Sequence, residues 1–323
     1  MTTNDSEEQA KQQFFMQKPA RYELDELQET KLPDKDVRMA FSVFKQTLDE
    51  IIGAVQAFYN MAVAAVIDAK FDRRFMANVL RVRAQFIRAN KEKDEEEIHR
   101  DARRLTNEEW EREDHHDELM QAVANRLTML SASVPELVSA SNNAILRQST
   151  VMLWSAVETL LREYFRVTIN NQPWLSKQIF ESDEGKRYWN HRGLTIDVIQ
   201  GADFNLKQCM GDVLLEINPM ISLKSIKTAY AIICSSGEDL MKTLKSQAIY
   251  NLFALRNLVA HKSGIVDEKF LLETNFSFAL GEKITIRPSD FEELYMAAKA
   301  IGVNLFECAQ RDAARDTPTT TKN

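Results

Sequence analysis

The sequence predicts an all-α protein: a helical bundle with extra N-terminal helices and one small β-hairpin. Two observations carry this. Only 9 Gly and 7 Pro occur in 323 residues, and few backbone breakers favour long helices over many-stranded sandwiches. Apolar residues also recur at helical spacing through most of the chain. The length suffices for one large or two ordinary domains with a proper core. A hydrophobic content of 44% and a charged content of 28% are ordinary for a globular protein.

Residues 1–32 read as a polar, loosely ordered N-terminus, and 311–323 as a disordered tail ending in DTPTTTKN. Between them, 33–124 form an N-terminal helical region and 125–310 a second helical domain. Asp34 or Asp36 can cap a first helix running to about Asp68, whose apolar face includes Phe41, Phe44, Leu48, Ile51 and Val55. A second helix carries Phe71, Phe75, Val79, Leu80 and Phe86 and runs into a charged stretch. Between Arg88 and Glu118 there are thirteen acidic and seven basic residues, which read as a solvated helical face with i,i+4 pairs. Thr106 to Glu109 has the form of a capping box opening a helix. His115 and His116 stand beside carboxylates, but neighbours on a helix point about 100° apart, which disfavours a shared metal.

A long amphipathic helix follows over 137–169. Leu146, Val151, Leu153, Trp154, Val157, Leu160, Leu161 and Tyr164 supply its packing face, and Arg147, Glu158 and Arg162 are the polar exceptions. Another helix covers 238–262. The segment 275–286 alternates on both sides of Gly281 and reads as a hairpin. A capping box from Ser289 to Glu292 opens the last helix.

The net charge of −7 argues against sequence-independent adhesion to nucleic acid or anionic membrane, and leaves room for a local basic groove. The apolar run 51–67 contains Gln56 and Asn60 and reads as a buried helix, not a membrane span. The polar N-terminus has no apolar core of a secretory signal, so a cytoplasmic setting is expected. Cys209, Cys234 and Cys308 are too few and too scattered to suggest a disulfide partner or a zinc site, and each reads as a small buried hydrophobe. Glycine-rich nucleotide loops, zinc-protease spacing and the nucleophile elbow of α/β-hydrolases are all absent. No cofactor and no metal are expected.

What remains is ALRNLVAHKSG, residues 254–264. Asn257 and His261 are four apart and share a helical face, with Arg256 beside them. Arg presents a planar fork that matches phosphate oxygens. An imidazole exchanges protons at neutral pH. Asn can orient the ring or the phosphate. RNA brings its own nucleophile, the 2′-hydroxyl, so a base and a charge stabiliser can suffice. The competing reading is a polar network that holds the helix end, with His261 near the C-terminal dipole.

This stretch resembles the R-x(4–6)-H signature of the HEPN superfamily, with Asn257 at the polar first spacer position. The helix LRQSTVMLWSAVETLLREYF resembles the first core HEPN helix, with Arg147 and Glu158 at its polar positions. YWNHRGLTIDVIQ resembles the linking segment of the RiboL-PSP-type subgroup, and a hairpin followed by a closing helix suits that subgroup. The resemblance covers about residues 125–310, and the N-terminal third has no counterpart. It implies a HEPN-like bundle that forms a homodimer, joining two R-x4-H motifs in one composite site. It further implies a metal-independent endoribonuclease of toxin–antitoxin, abortive-infection or antiviral defence, acting on RNA and paired with an antitoxin or other defence protein. Arg256 and His261 carry over as the catalytic pair and Asn257 as their support. Glu158 is a supporting candidate or simply a buried partner for an arginine, and Trp154 and Tyr164 read as core. The alternative function is a non-catalytic HEPN-like module that binds a nucleotide or a protein, which the acidic balance mildly favours.

Overall fold

A computed structural model describes residues 14, 22, 24–89, 94–112, 116–189, 196–201, 205–234 and 237–316. The described residues are almost all helical, in the order α1 (Lys35–Val55), α2 (Ala57–Arg88), α3 (Glu95–Arg112), α4 (His116–Ser133) and α5 (Pro135–Asn171). Then come α6 (Leu175–Glu181), α7 (Asp183–Trp189), α8 (Ile196–Gly201), α9 (Leu206–Ile217) and α10 (Leu223–Ile233). The chain ends with α11 (Glu238–Leu244), α12 (Gln247–Lys262), α13 (Glu268–Glu273) and α14 (Pro288–Asp316). Among the described residues, no single helix is long and apolar enough to cross a membrane.

The chain divides into two compact units that interleave in sequence: 1–17 with 55–142, and 18–54 with 143–323. In the first unit α2 packs on α3 and α4. Ala62 and Val66 meet Val123, Ala124, Leu127 and Val138 in one core cluster, and Val79 and Val82 meet Ile98 and Ala102 in another. The Asn78 amide donates to Thr106 Oγ1 at 3.1 Å and to Glu109 Oε2 at 3.0 Å. Thr106 therefore does not open a helix. It sits buried inside α3 and donates its hydroxyl to the Ala102 carbonyl at 2.8 Å. Its neighbours could propagate the helix on both sides, so the capping-box pattern had no terminus to cap. His115 lies outside the described residues, and His116 opens α4.

The second unit is built around α1, α5, α12 and α14. Asp34 Oδ1 accepts the backbone N–H groups of Asp36 and Val37 at 2.8 and 2.9 Å, the side-chain cap expected at the start of α1. The helix stops at Val55, well short of Asp68, because the backbone leaves helical geometry at Gln56 before α2 begins. Phe41, Phe44, Leu48 and Ile51 of α1 are fully buried, and Phe41 meets Phe306 of α14 edge-to-face at 5.5 Å. On α5 the expected face is inside: Leu146, Leu153, Val157 and Leu161 are sealed from solvent. Tyr230 of α10 donates to the Leu161 carbonyl at 2.6 Å and stacks near Tyr164.

Several boundaries differ from the sequence reading. Leu24, Leu27 and Leu32, within the segment expected to be loosely ordered, are buried. The Tyr22 ring packs edge-to-face on Tyr295. The 238–262 helix is two helices, because Ser246 leaves helical geometry and its hydroxyl caps α12 at Ile249 N. α14 begins at Pro288, so Ser289 lies within its first turn, and Asp290 receives the Arg287 N–H at 3.2 Å. The helix also continues through 311–316, which were assigned to the tail.

The hairpin expected over 275–286 does not form. A tight turn is present, closed by Glu282 N–H to Ala279 C=O at 3.1 Å with Gly281 at φ +80°. The extended segment after it pairs instead with 264–266, through Val266 N–H to Glu282 C=O at 2.9 Å and Ile284 N–H to Gly264 C=O at 2.8 Å. The bridge Ile265↔Lys283 is antiparallel and isolated. Alternation specifies an extended segment, but the partner is chosen by whichever edge the fold brings near. Cys234 and Cys308 are likewise a correction: they are buried as expected, yet joined as a disulfide across 74 residues. Cys209 is free and half-buried.

Candidate functional site

α12 buries Ile249, Leu252, Leu255 and Leu258, a 3-residue spacing that seats one stripe of the helix in the core. Arg256 and Asn257 are half-buried, and His261 is exposed one turn further on, in the last turn of the helix. Ser263 and Gly264 then take left-handed conformations, with φ of 54° and 79°. They wrap the chain so that the amides of both reach back to the Leu258 carbonyl. Gly264 is tightly placed, since a Cβ there would lie 3.3 Å from Ile284 Cγ2 and 3.6 Å from Arg147 Cδ. Arg147 reaches this corner from α5 and donates to the Ile284 carbonyl at 3.3 Å. The helix end that carries His261 is thus pinned by backbone, glycine and one arginine.

Glu158 of α5 organises the polar face. Its Oε2 accepts the buried Trp154 indole N–H at 2.9 Å and lies 3.7 Å from Arg256 Nη2. Its Oε1 lies 3.7 Å from Arg162 Nη1. Arg256 Nη1 donates to Asn257 Oδ1 at 2.8 Å. The Trp154 ring also meets Phe253 of α12 edge-to-face at 5.0 Å. Two contacts, 154 with 253 and 158 with 256, set the register of α12 against α5.

The structure therefore brings Arg256, Asn257 and Glu158 together and leaves His261 to one side. Asn257 orients the guanidinium and not the imidazole. His261 makes no hydrogen bond or ion pair with the described residues. Only one of the five Arg256 donors is taken by a hydrogen bond among them, which leaves a fork able to grip an anion. Trp154, read as core, and Arg162, read as a polar exception, both belong to the network. The signal for them was the i,i+4 spacing 154, 158, 162 on one face of α5. Two cavities of about 700 and 590 Å³ in the same unit are lined by other residues.

No family model, no curated protein and no solved structure matches the chain.

Proposed function

We propose that the chain is a metal-independent endoribonuclease with a HEPN-type bundle, cytoplasmic and acting in toxin–antitoxin or abortive-infection defence. One observation carries the reading: a guanidinium held by a carboxylate and an amide stands on the same helix end as an exposed imidazole that has no partner among the described residues.

In this scheme the RNA 2′-hydroxyl attacks the adjacent phosphorus and the bond to the 5′-oxygen breaks. His261 accepts the hydroxyl proton, and the imidazole of a paired copy returns one to the leaving oxygen. Arg256 holds the phosphate oxygens as their charge builds. Products end in 2′,3′-cyclic phosphate and 5′-hydroxyl.

The test is cleavage of total RNA by purified protein in EDTA, together with growth arrest on expression. His261→Ala should lower the rate by about 10²–10⁴-fold. Arg256→Lys should not restore what Arg256→Ala removes, because a point charge does not reproduce the fork. Thermal melts should match wild type. Variants that still cleave RNA would sink catalysis at this cluster, and variants that unfold would return it to a network that holds the helix end. Tight nucleotide or protein binding with no cleavage would favour the module reading.

A further inference from the structure

Away from Arg256, the same unit brings together three donor side chains. Cys234 caps the C-terminus of α10, and Cys308 lies within α14; both are buried. Asp312 follows Cys308 by one helical turn and presents its Oδ2 3.8 Å from Cys308 Sγ. The two sulfurs and a carboxylate oxygen all lie within 4.8 Å of one another. Asp312 also lines the cavity of about 700 Å³, with Tyr164, Thr168 and Gln172. Ile233 and Ala309, the chain neighbours of the two cysteines, line it too.

We propose that Cys234, Cys308 and Asp312 bind one zinc-class divalent cation when the cysteines are reduced, with the disulfide as the closed form of the site. Two thiolates and a carboxylate form a donor set for a borderline-soft ion. Three protein ligands leave a fourth position for water or a small donor, and the cavity beside Asp312 is where that donor would enter. The cysteine Cα atoms are 6.9 Å apart, at the outer edge of what a disulfide spans and within reach of two thiolates around one ion. The Tyr164 hydroxyl donates to Asp312 Oδ2 at 3.5 Å, the kind of outer partner that orients a ligating carboxylate. Sequence spacing hid the site, since its first two ligands are 74 residues apart.

Opening the site is a two-electron step. A dithiol reductant breaks the S–S bond, each cysteine sulfur gains a proton, and the reductant leaves as its own disulfide. Zinc then displaces both thiol protons. Disulfide and metal use the same sulfurs and exclude each other.

The experiment titrates zinc chloride into the full chain, oxidised or reduced with dithiothreitol and then freed of it anaerobically, and follows binding by calorimetry and a thermal melt. The reduced chain should take one zinc per chain and melt higher with it, while the oxidised chain takes none. Asp312→Asn should weaken binding at least about tenfold, Cys308→Ser should abolish it, and Cys209→Ser should leave it unchanged. A reduced chain that binds no zinc, or an Asp312→Asn chain that binds like wild type, would overturn the proposal. If Cys308→Ser does not fold, the reduced and oxidised wild type still decide. RNA cleavage is not a readout here, so this outcome is independent of the ribonuclease reading.

Discussion

Glu158 is almost buried, with its side chain 11% exposed, and faces Trp154, Arg162 and Arg256. Removing one partner of such a set costs more than its contacts are worth, because the others keep their desolvation penalty. Glu158→Ala should lower stability by about 2–3 kcal/mol. The figure sits below that for a fully buried pair because both arginines retain solvent contact. Glu158→Gln still offers an oxygen to the indole and should cost only about 1 kcal/mol. Both should cleave RNA at least about tenfold more slowly if Glu158 positions Arg256. Urea melts and cleavage rates on the same preparations check this. Full activity with lost stability would make Glu158 a packing residue. The sequence marked Glu158 as polar on an apolar face, but not which arginine it meets, since Arg162 shares its helix and Arg256 comes from another.

At the scale of an element, the end of α12 makes a prediction of opposite signs at adjacent positions. Gly264 lies at φ +79°, and a Cβ there would sit 3.3 Å from Ile284 Cγ2, so Gly264→Ala should lose about 1–2 kcal/mol. Ser263, at φ 54°, already bears the left-handed penalty. Ser263→Gly should be neutral or stabilise by up to about 1 kcal/mol. Denaturant midpoints measure both. If the two changes have the same sign, backbone conformation does not govern this helix end. The start of α1 is a second case: Asp34→Ala removes two N–H bonds and should cost about 1–2 kcal/mol. Caps at Asp34 and the stop at Gly264 were legible because they are local chemistry. The breaks at Gln56 and Ser246 were not, because the helical pattern runs through both and neither break falls at a glycine or proline.

For the whole molecule, burial pushes the hydroxyls of Tyr230, Tyr164 and Tyr295 well above the ordinary tyrosine value. The folded state therefore favours the neutral phenol. Its stabilising effect is complete below about pH 10 and is lost as pH rises from there toward the folded-state value. Stability should fall above pH 10 by about 1.4 kcal/mol per pH unit for each such tyrosine. Tyr230→Phe should cost about 1 kcal/mol at pH 7 through its bond to Leu161 and flatten part of the alkaline fall. Urea melts at pH 7 and 11 test both statements. A single R-x4-H motif offers one imidazole and one guanidinium, so the active species should be a two-fold dimer. Light scattering that shows a strict monomer at micromolar concentration, with RNA cleavage retained, would sink the composite site.

The all-α class, the long helix α5, the cap of α1 and the cluster on α12 follow from the sequence alone, because each rests on neighbours within a few turns: helical periodicity, scarce breakers, side-chain caps. What only the tertiary structure decided joins distant parts of the chain. It set α1 in one unit with most of α5 and with α14, and grouped 55–142 as a unit of its own with 1–17. It gave the extended segment after Gly281 to 264–266 and not to its own hairpin partner, and it brought Cys234 to Cys308. It also turned Asn257 toward Arg256 and left the His261 imidazole exposed, with no partner among the described residues. Local propensity specifies which segments are helical, but burial and pairing depend on surfaces that meet only after those segments pack.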